Sequence, residues 1–73
     1  MKNTFDPKKA GEKLVTLRGT KTRKEVSAEL GISESALAMY EAGQRTPRDS
    51  IKIRIADFYQ VPVCDIFFDT IYT

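Results

Sequence analysis

Glycine and proline divide the 73-residue chain at Pro7, Gly11, Gly19, Gly31, Gly43, Pro47 and Pro62, and this spacing is what most restricts the folds open to it. Proline removes a backbone donor, and glycine weakens the interior of any regular element. Most of these residues separate short segments whose apolar side chains recur every three or four positions, the period of a helix. No segment shows the sustained alternation that a half-buried strand requires, and no apolar run approaches the roughly 20 residues of a membrane span. The chain therefore reads as all-α: five short helices with local connections and one small core, a single domain over residues 1–73 with its core in about 6–68.

Cap signals set the expected boundaries. Asp6 caps a first helix over residues 6–18, with Pro7 at its first position and Ala10, Leu14 and Leu17 as its buried stripe; Gly19 ends it. Thr22 and Glu25 form a capping box for a second helix over 22–30, in which Val26 and Leu30 face inward. Ser33 caps a third, over 33–42, and Gly43 ends it. Thr46-Pro47-Arg48-Asp49 reads as cap, first-turn proline and first-turn acid of a fourth helix to Tyr59, with a stripe of Ile51, Ile55 and Phe58 widened by Ile53 and Ala56. Pro62 opens a short fifth helix to Phe67 or Phe68; residues 69–73 form a strand or a tail.

Composition excludes several chemistries. There is no histidine and one cysteine, Cys64, so neither an internal disulfide nor the usual zinc spacings can form. Cys64, beside Val63 and Ile66-Phe67-Phe68, is expected as a small buried hydrophobe. With no base to activate that thiol and no glycine-rich phosphate loop, no catalytic residue, metal, cofactor or small-molecule substrate is expected. The residues after Met1-Lys2 are polar and do not read as a signal peptide. A reducing cytoplasm suits such a chain.

Residues 23–42 carry the functional signal. Two helices joined by a sharp turn need a residue that accepts positive φ, and Gly31 supplies it. They also need a small side chain where they cross, at Ser27, and apolar contacts, from Val26, Leu30, Ile32, Leu37 and Tyr40. On the third helix Glu34, Ser35, Ala38 and Met39 share one face, and Leu37, Tyr40 and Glu41 the other.

With its Gly31-Ile32-Ser33 turn, the later Glu41-x-Gly43-x-Arg45-x-Pro47 and the flanking Leu17-Arg18-Gly19, Ile55-Ala56 and Val61, the sequence resembles the phage-repressor and Cro-like (XRE-type) helix-turn-helix family over about residues 10–67. The resemblance implies a five-helix, lambda-repressor-like DNA-binding domain whose third helix enters the major groove. It gives Glu34, Ser35, Ala38 and Met39 as base-reading candidates: Glu34 toward a cytosine amine, Ser35 toward a base edge or phosphate, and Ala38 and Met39 for apolar contact. Arg23, Gln44, Arg45 and Arg48 are phosphate-binding candidates, with Lys21 and Lys24 in support. Many members carry glutamine where this chain has Arg23. In the family the glutamate at Glu41 pairs with the arginine at Arg18, so these two, with Gly31 and Ser27, are expected to be structural.

Charge is unevenly placed although the net is only +2: eight basic and two acidic side chains in residues 1–24, four acidic and no basic in 25–41, four basic and one acidic in 42–54. Two basic segments thus flank the acidic turn region. A reading face with no Arg, Lys, Asn or Gln points to affinity from phosphate contacts and some specificity from DNA shape. The leading expectation is a sequence-specific regulator, a repressor that occupies a palindromic operator as a homodimer and is controlled by its own concentration, a partner or degradation. An antitoxin-type DNA-binding role belongs to the same class. The competing reading is a protein-interaction module without DNA, using the apolar run Ile66-Phe67-Phe68 with Ile71 and Tyr72, which could equally supply a homodimer contact.

Overall fold

The computed structural model describes residues 6–67, and their regular elements are all α-helices: α1 (Pro7–Arg18), α2 (Arg23–Leu30), α3 (Glu34–Ala42), α4 (Asp49–Tyr59) and α5 (Val63–Phe67). The predicted tail over 69–73, and the predicted contributions of Phe68, Ile71 and Tyr72, lie outside the described residues. No helix among the described residues is long and apolar enough to cross a membrane.

Local chemistry starts and stops each element. The Asp6 carboxylate accepts from the backbone N–H of Lys8 at 3.1 Å and of Lys9 at 3.4 Å, directly ahead of Pro7. Thr22 and Glu25 complete their capping box reciprocally at 3.1 and 2.9 Å, and Ser33 Oγ accepts from Ala36 N at 3.0 Å. Helices α2, α3 and α4 close alike. Gly31, Gly43 and Gln60 take left-handed backbone, and the next N–H donates back: Ile32 to Ser27 O, Gln44 to Met39 O and Val61 to Ala56 O, each at 3.0 Å. Gly31, at φ 71°, needs its glycine for conformation rather than room, because a Cβ there would meet only Arg54 Nη1 at 3.6 Å.

The start of α4 differs from the sequence-based expectation. The helix begins at Asp49, with Arg48 as an extended N-cap that makes no side-chain cap bond, rather than with Thr46 as cap and Pro47 in the first turn. Pro47 is buried ahead of the helix. Its ring is used as core, and the pre-proline restriction keeps the approach extended.

Ala10 and Leu14 of α1, Val26 and Leu30 of α2, Leu37 and Tyr40 of α3, Ile51, Ile55 and Ala56 of α4, and Ile66 and Phe67 of α5 form one buried cluster. Leu17, Ile32 and Phe58 pack half-buried against it. Each fully buried aliphatic or phenyl side chain contributes about 1.5–3 kcal/mol, and no single one dominates. Two expected core members lie outside it. Ile53 is 54% exposed, because it stands about 200° around α4 from Ile51 at 100° per residue. The flank of the stripe is taken by the stem of Lys52, whose Nζ sits 5.5 Å from the Phe67 ring centroid. Cys64 is exposed: Ile66 turns inward, and the thiol two residues earlier, about 200° around α5, lies on the solvent side.

One of the glycines that punctuate the sequence is a helix-interior residue. Gly11 lies inside α1 and is buried against α3, where a Cβ would run into the backbone carbonyl of Glu41 and lie 2.9 Å from Tyr40 O. The absent side chain sets how closely α1 and α3 approach, and that approach supports α3 from behind. Alanine normally stabilises a helix interior by about 1 kcal/mol over glycine. Here the sign reverses: Gly11→Ala is expected to destabilise by about 1–3 kcal/mol in urea unfolding. A stabilised variant would show that α1 does not press on α3.

Candidate nucleic-acid interface

Helix α3 is held by one face and open on the other. Leu37, Tyr40 and Glu41 are buried, whereas Glu34 and Ser35 are exposed and Met39 is 39% exposed. Ala38 is half-buried at the edge of the open strip. Glu34 occupies the first turn of α3, where a carboxylate is favoured by the helix dipole.

The buried face carries a charge. The Glu41 side chain is only 2% exposed, and three guanidinium nitrogens converge on its carboxylate. Arg18, at the end of α1, donates from Nε to Oε2 at 2.7 Å and from Nη2 to Oε1 at 3.2 Å, a bidentate fork. Its remaining nitrogen, Nη1, donates to Lys21 O at 2.8 Å, pinning the α1–α2 connection. Arg23, the first residue of α2, donates from Nε to Glu41 Oε1 at 2.9 Å. One carboxylate on α3 thereby fastens α1 and α2 to it. The hydrogen bond to Glu41 holds the Arg18 guanidinium above its ordinary pKa against the opposing effect of burial.

The two arginines are used differently. Arg18 is 17% exposed with all three nitrogens engaged; Arg23 is 49% exposed, and its terminal nitrogens have no partner among the described residues. The exposed Lys24 follows Arg23 in the first turn of α2, and Lys21 is exposed in the connection before it. Ser27, predicted at the crossing point, is buried and donates from Oγ to Lys24 O at 3.2 Å.

Beyond the C-terminus of α3, Gln44, Arg45 and Arg48 are exposed in the loop before α4. Arg45 and Arg48 line one groove with Gly31, Tyr40, Ser50 and Arg54. Arg54 had no sequence signal: it reaches from α4 to donate to Leu30 O at 2.9 Å, closing the C-terminus of α2 beside the turn. Among the described residues no group of three or more carboxylate or cysteine side chains could hold a metal ion.

Near the ion pair, the Tyr59 hydroxyl is buried without a hydrogen-bond partner among the described residues. Burial raises its pKa, the Glu41 charge raises it further, and Arg18 opposes.

A family model described as Helix-turn-helix matches residues 16–66. Among solved structures, the chain is similar to the restriction-modification controller protein C.AhdI from Aeromonas hydrophila, at 23% identity and TM-score 0.76, covering 85% of this chain and 97% of that one. It is also similar to the DNA-binding domain of BldD, at 26% identity and TM-score 0.71, covering 85% and 93%. No curated protein matches the sequence significantly.

Two stability measurements test the ion-pair geometry. Arg18→Ala, which strips the bidentate partner from a buried carboxylate, should cost about 3 kcal/mol in urea unfolding, and Arg23→Ala about 1 kcal/mol or less because that side chain is half solvated. Equal costs would mean that Glu41 does not discriminate between them. Tyr59→Phe should gain about 1 kcal/mol by removing an unsatisfied buried hydroxyl. Because the native pKa of Tyr59 is raised, the unfolded chain releases this proton first, so wild-type stability is full below about pH 10 and declines above it. The difference between wild type and Tyr59→Phe should widen in that alkaline range, as followed by thermal melts.

Proposed function

Because the chain belongs to the phage-repressor and Cro-like (XRE-type) helix-turn-helix family, we propose that it is a DNA-binding transcription regulator that lays α3 in the major groove and represses by occupying its operator. The observation that carries this reading is the division of α3. Its inner face is locked by Leu37, Tyr40 and the Glu41 ion pair, while Glu34, Ser35 and Met39 stand in solvent, with exposed arginines at the start of α2 and in the loop that follows α3.

Within this reading Glu34 accepts from a cytosine amine, Ser35 bonds a base edge or phosphate, and Met39, with Ala38 at the margin, makes apolar contact with a thymine methyl. Arg23 and Lys24 from the start of α2, Lys21 before it, and Gln44, Arg45 and Arg48 from the loop after α3 hold the phosphate backbone on either side. With no Arg, Lys, Asn or Gln on the reading strip, phosphate contacts supply most of the affinity and DNA deformability part of the selectivity. The functional unit is a homodimer on a palindromic operator in the cytoplasm, which repeats one set of contacts about a two-fold axis.

Binding of duplex DNA over a salt series tests this directly. Affinity should fall steeply and linearly on a log–log plot, and Arg45→Ala should weaken binding to every sequence while reducing the slope by about 0.9, the value of one phosphate contact. Selection from a random duplex library should return a palindrome, with Glu34→Ala altering the base preferred at one position of each half-site. Duplex binding that is absent or indifferent to salt would leave a protein-interaction module as the better description.

A further inference from the structure

We propose that Glu41 is a positioning residue for DNA binding: by accepting a hydrogen bond from Arg23 Nε it orients that guanidinium so that its two terminal nitrogens meet a backbone phosphate. The inference rests on reading this face as the DNA-binding one. Its starting point is a division of donors on one side chain. A guanidinium has five N–H groups in a rigid plane. Arg23 spends the single Nε–H on the buried carboxylate at 2.9 Å, and the four on Nη1 and Nη2 are unpaired among the described residues on a side chain 49% exposed. An ion pair made through a terminal nitrogen would have tied up that edge. Made through Nε, it leaves the fork on the far side free.

Charge and placement agree with a phosphate there. Two guanidinium groups converge on one carboxylate, so the cluster carries a formal excess of one positive charge. Arg18 is poorly placed to deliver that charge to a ligand, because three of its five N–H groups hold Glu41 and Lys21 O and only 17% of its side chain is exposed. Arg23 can, and it stands at the first position of α2, where the backbone N–H groups of Arg23 and Lys24 also lack partners among the described residues. A phosphodiester oxygen at this point meets a fork already oriented, so less side-chain freedom is lost on binding. Lysine cannot substitute: its compact ammonium has no rigid fork with one edge for the carboxylate and another for the phosphate.

The test uses the full chain and a labelled random-sequence duplex, with wild type, Arg23→Ala, Arg23→Lys, Glu41→Gln and both double variants compared by fluorescence anisotropy, with thermal melts alongside. Arg23→Ala should weaken binding about tenfold or more, the size of one charge-assisted contact. Arg23→Lys should lose most of the same affinity while Glu41 is present, because the ammonium is drawn to the carboxylate. In the Glu41→Gln background the lysine is released and should bind clearly better than alanine at the same position. A purely structural role for Glu41 would move melting temperatures without this reversal. If Arg23→Lys binds like wild type, or Arg23→Ala costs nothing, while Arg45→Ala still flattens the salt slope, the positioning role is overturned and the DNA-binding reading stands. If wild type shows no salt-dependent duplex binding, the DNA reading itself fails. Should Glu41→Gln not fold, the comparison of Arg23→Lys with Arg23→Ala and wild type decides alone.

Discussion

A single carboxylate sets the geometry on which the rest of this small domain depends. Glu41 is buried on α3 and receives Arg18 from the end of α1 and Arg23 from the start of α2. Burying a charge is expensive, and the cost is offset only when partners are close and well aligned. That requirement acts as a ruler. Three helices must bring one carboxylate and two guanidinium groups within hydrogen-bond length, whatever latitude their apolar contacts allow. The close contact at Gly11 behind α3 and the αL turn at Gly31 in front are compatible with one placement of that helix, and the ion pair selects it.

The same arrangement separates support from function along α3. Leu37, Tyr40 and Glu41 serve the fold, and the strip with Glu34, Ser35 and Met39 is left without structural duties. In the proposed function its side chains could then vary with the DNA sequence to be read while the backbone beneath stays fixed. The connections follow the same logic. Arg54 closes α2 from α4, and the Gly43 turn delivers the chain into a loop whose arginines remain exposed.

Much of this architecture was legible in the sequence because it rests on local chemistry. Asp6-Pro7, Thr22 with Glu25, and Ser33 announce helix starts through groups that satisfy orphan N–H donors a few residues away. The inward and outward faces of α3 followed from helical periodicity alone. What escaped depends on distant parts of the chain. Pro47 carries the same local signal whether it opens a helix or plugs a core, and only the packing decides. Ile53 and Cys64 look like core by composition, yet each lies on the wrong side of a short helix. Gly11 appears as a break, although a glycine flanked by Ala10 and Leu14 on a helical stripe signals a close neighbour. Resemblance supplied the pairing of Arg18 with Glu41; nothing local could reveal that Arg23 joins it from 18 residues away, or that Arg54 caps α2.

The unusual composition of the reading strip gains a physical meaning beside the ion pair. A strip of glutamate, serine, alanine and methionine offers little attraction to a polyanion, and in the proposed function Glu34 would repel it until a base amine satisfies the carboxylate. In the proposed function attraction comes from beside the strip, and net charge is a poor guide to it, because Glu25 and Glu41 are consumed in a capping box and an ion pair while the terminal nitrogens of Arg23 and the side chains of Arg45 and Arg48 stay outward. A chain with a formal charge of only +2 can therefore present a cationic rim around a neutral-to-acidic centre. Such a surface separates its two tasks. In the proposed function the rim would hold any duplex and the centre would penalise those that do not offer the right base edges, so discrimination would arise from mismatches that cost rather than from matches that attract.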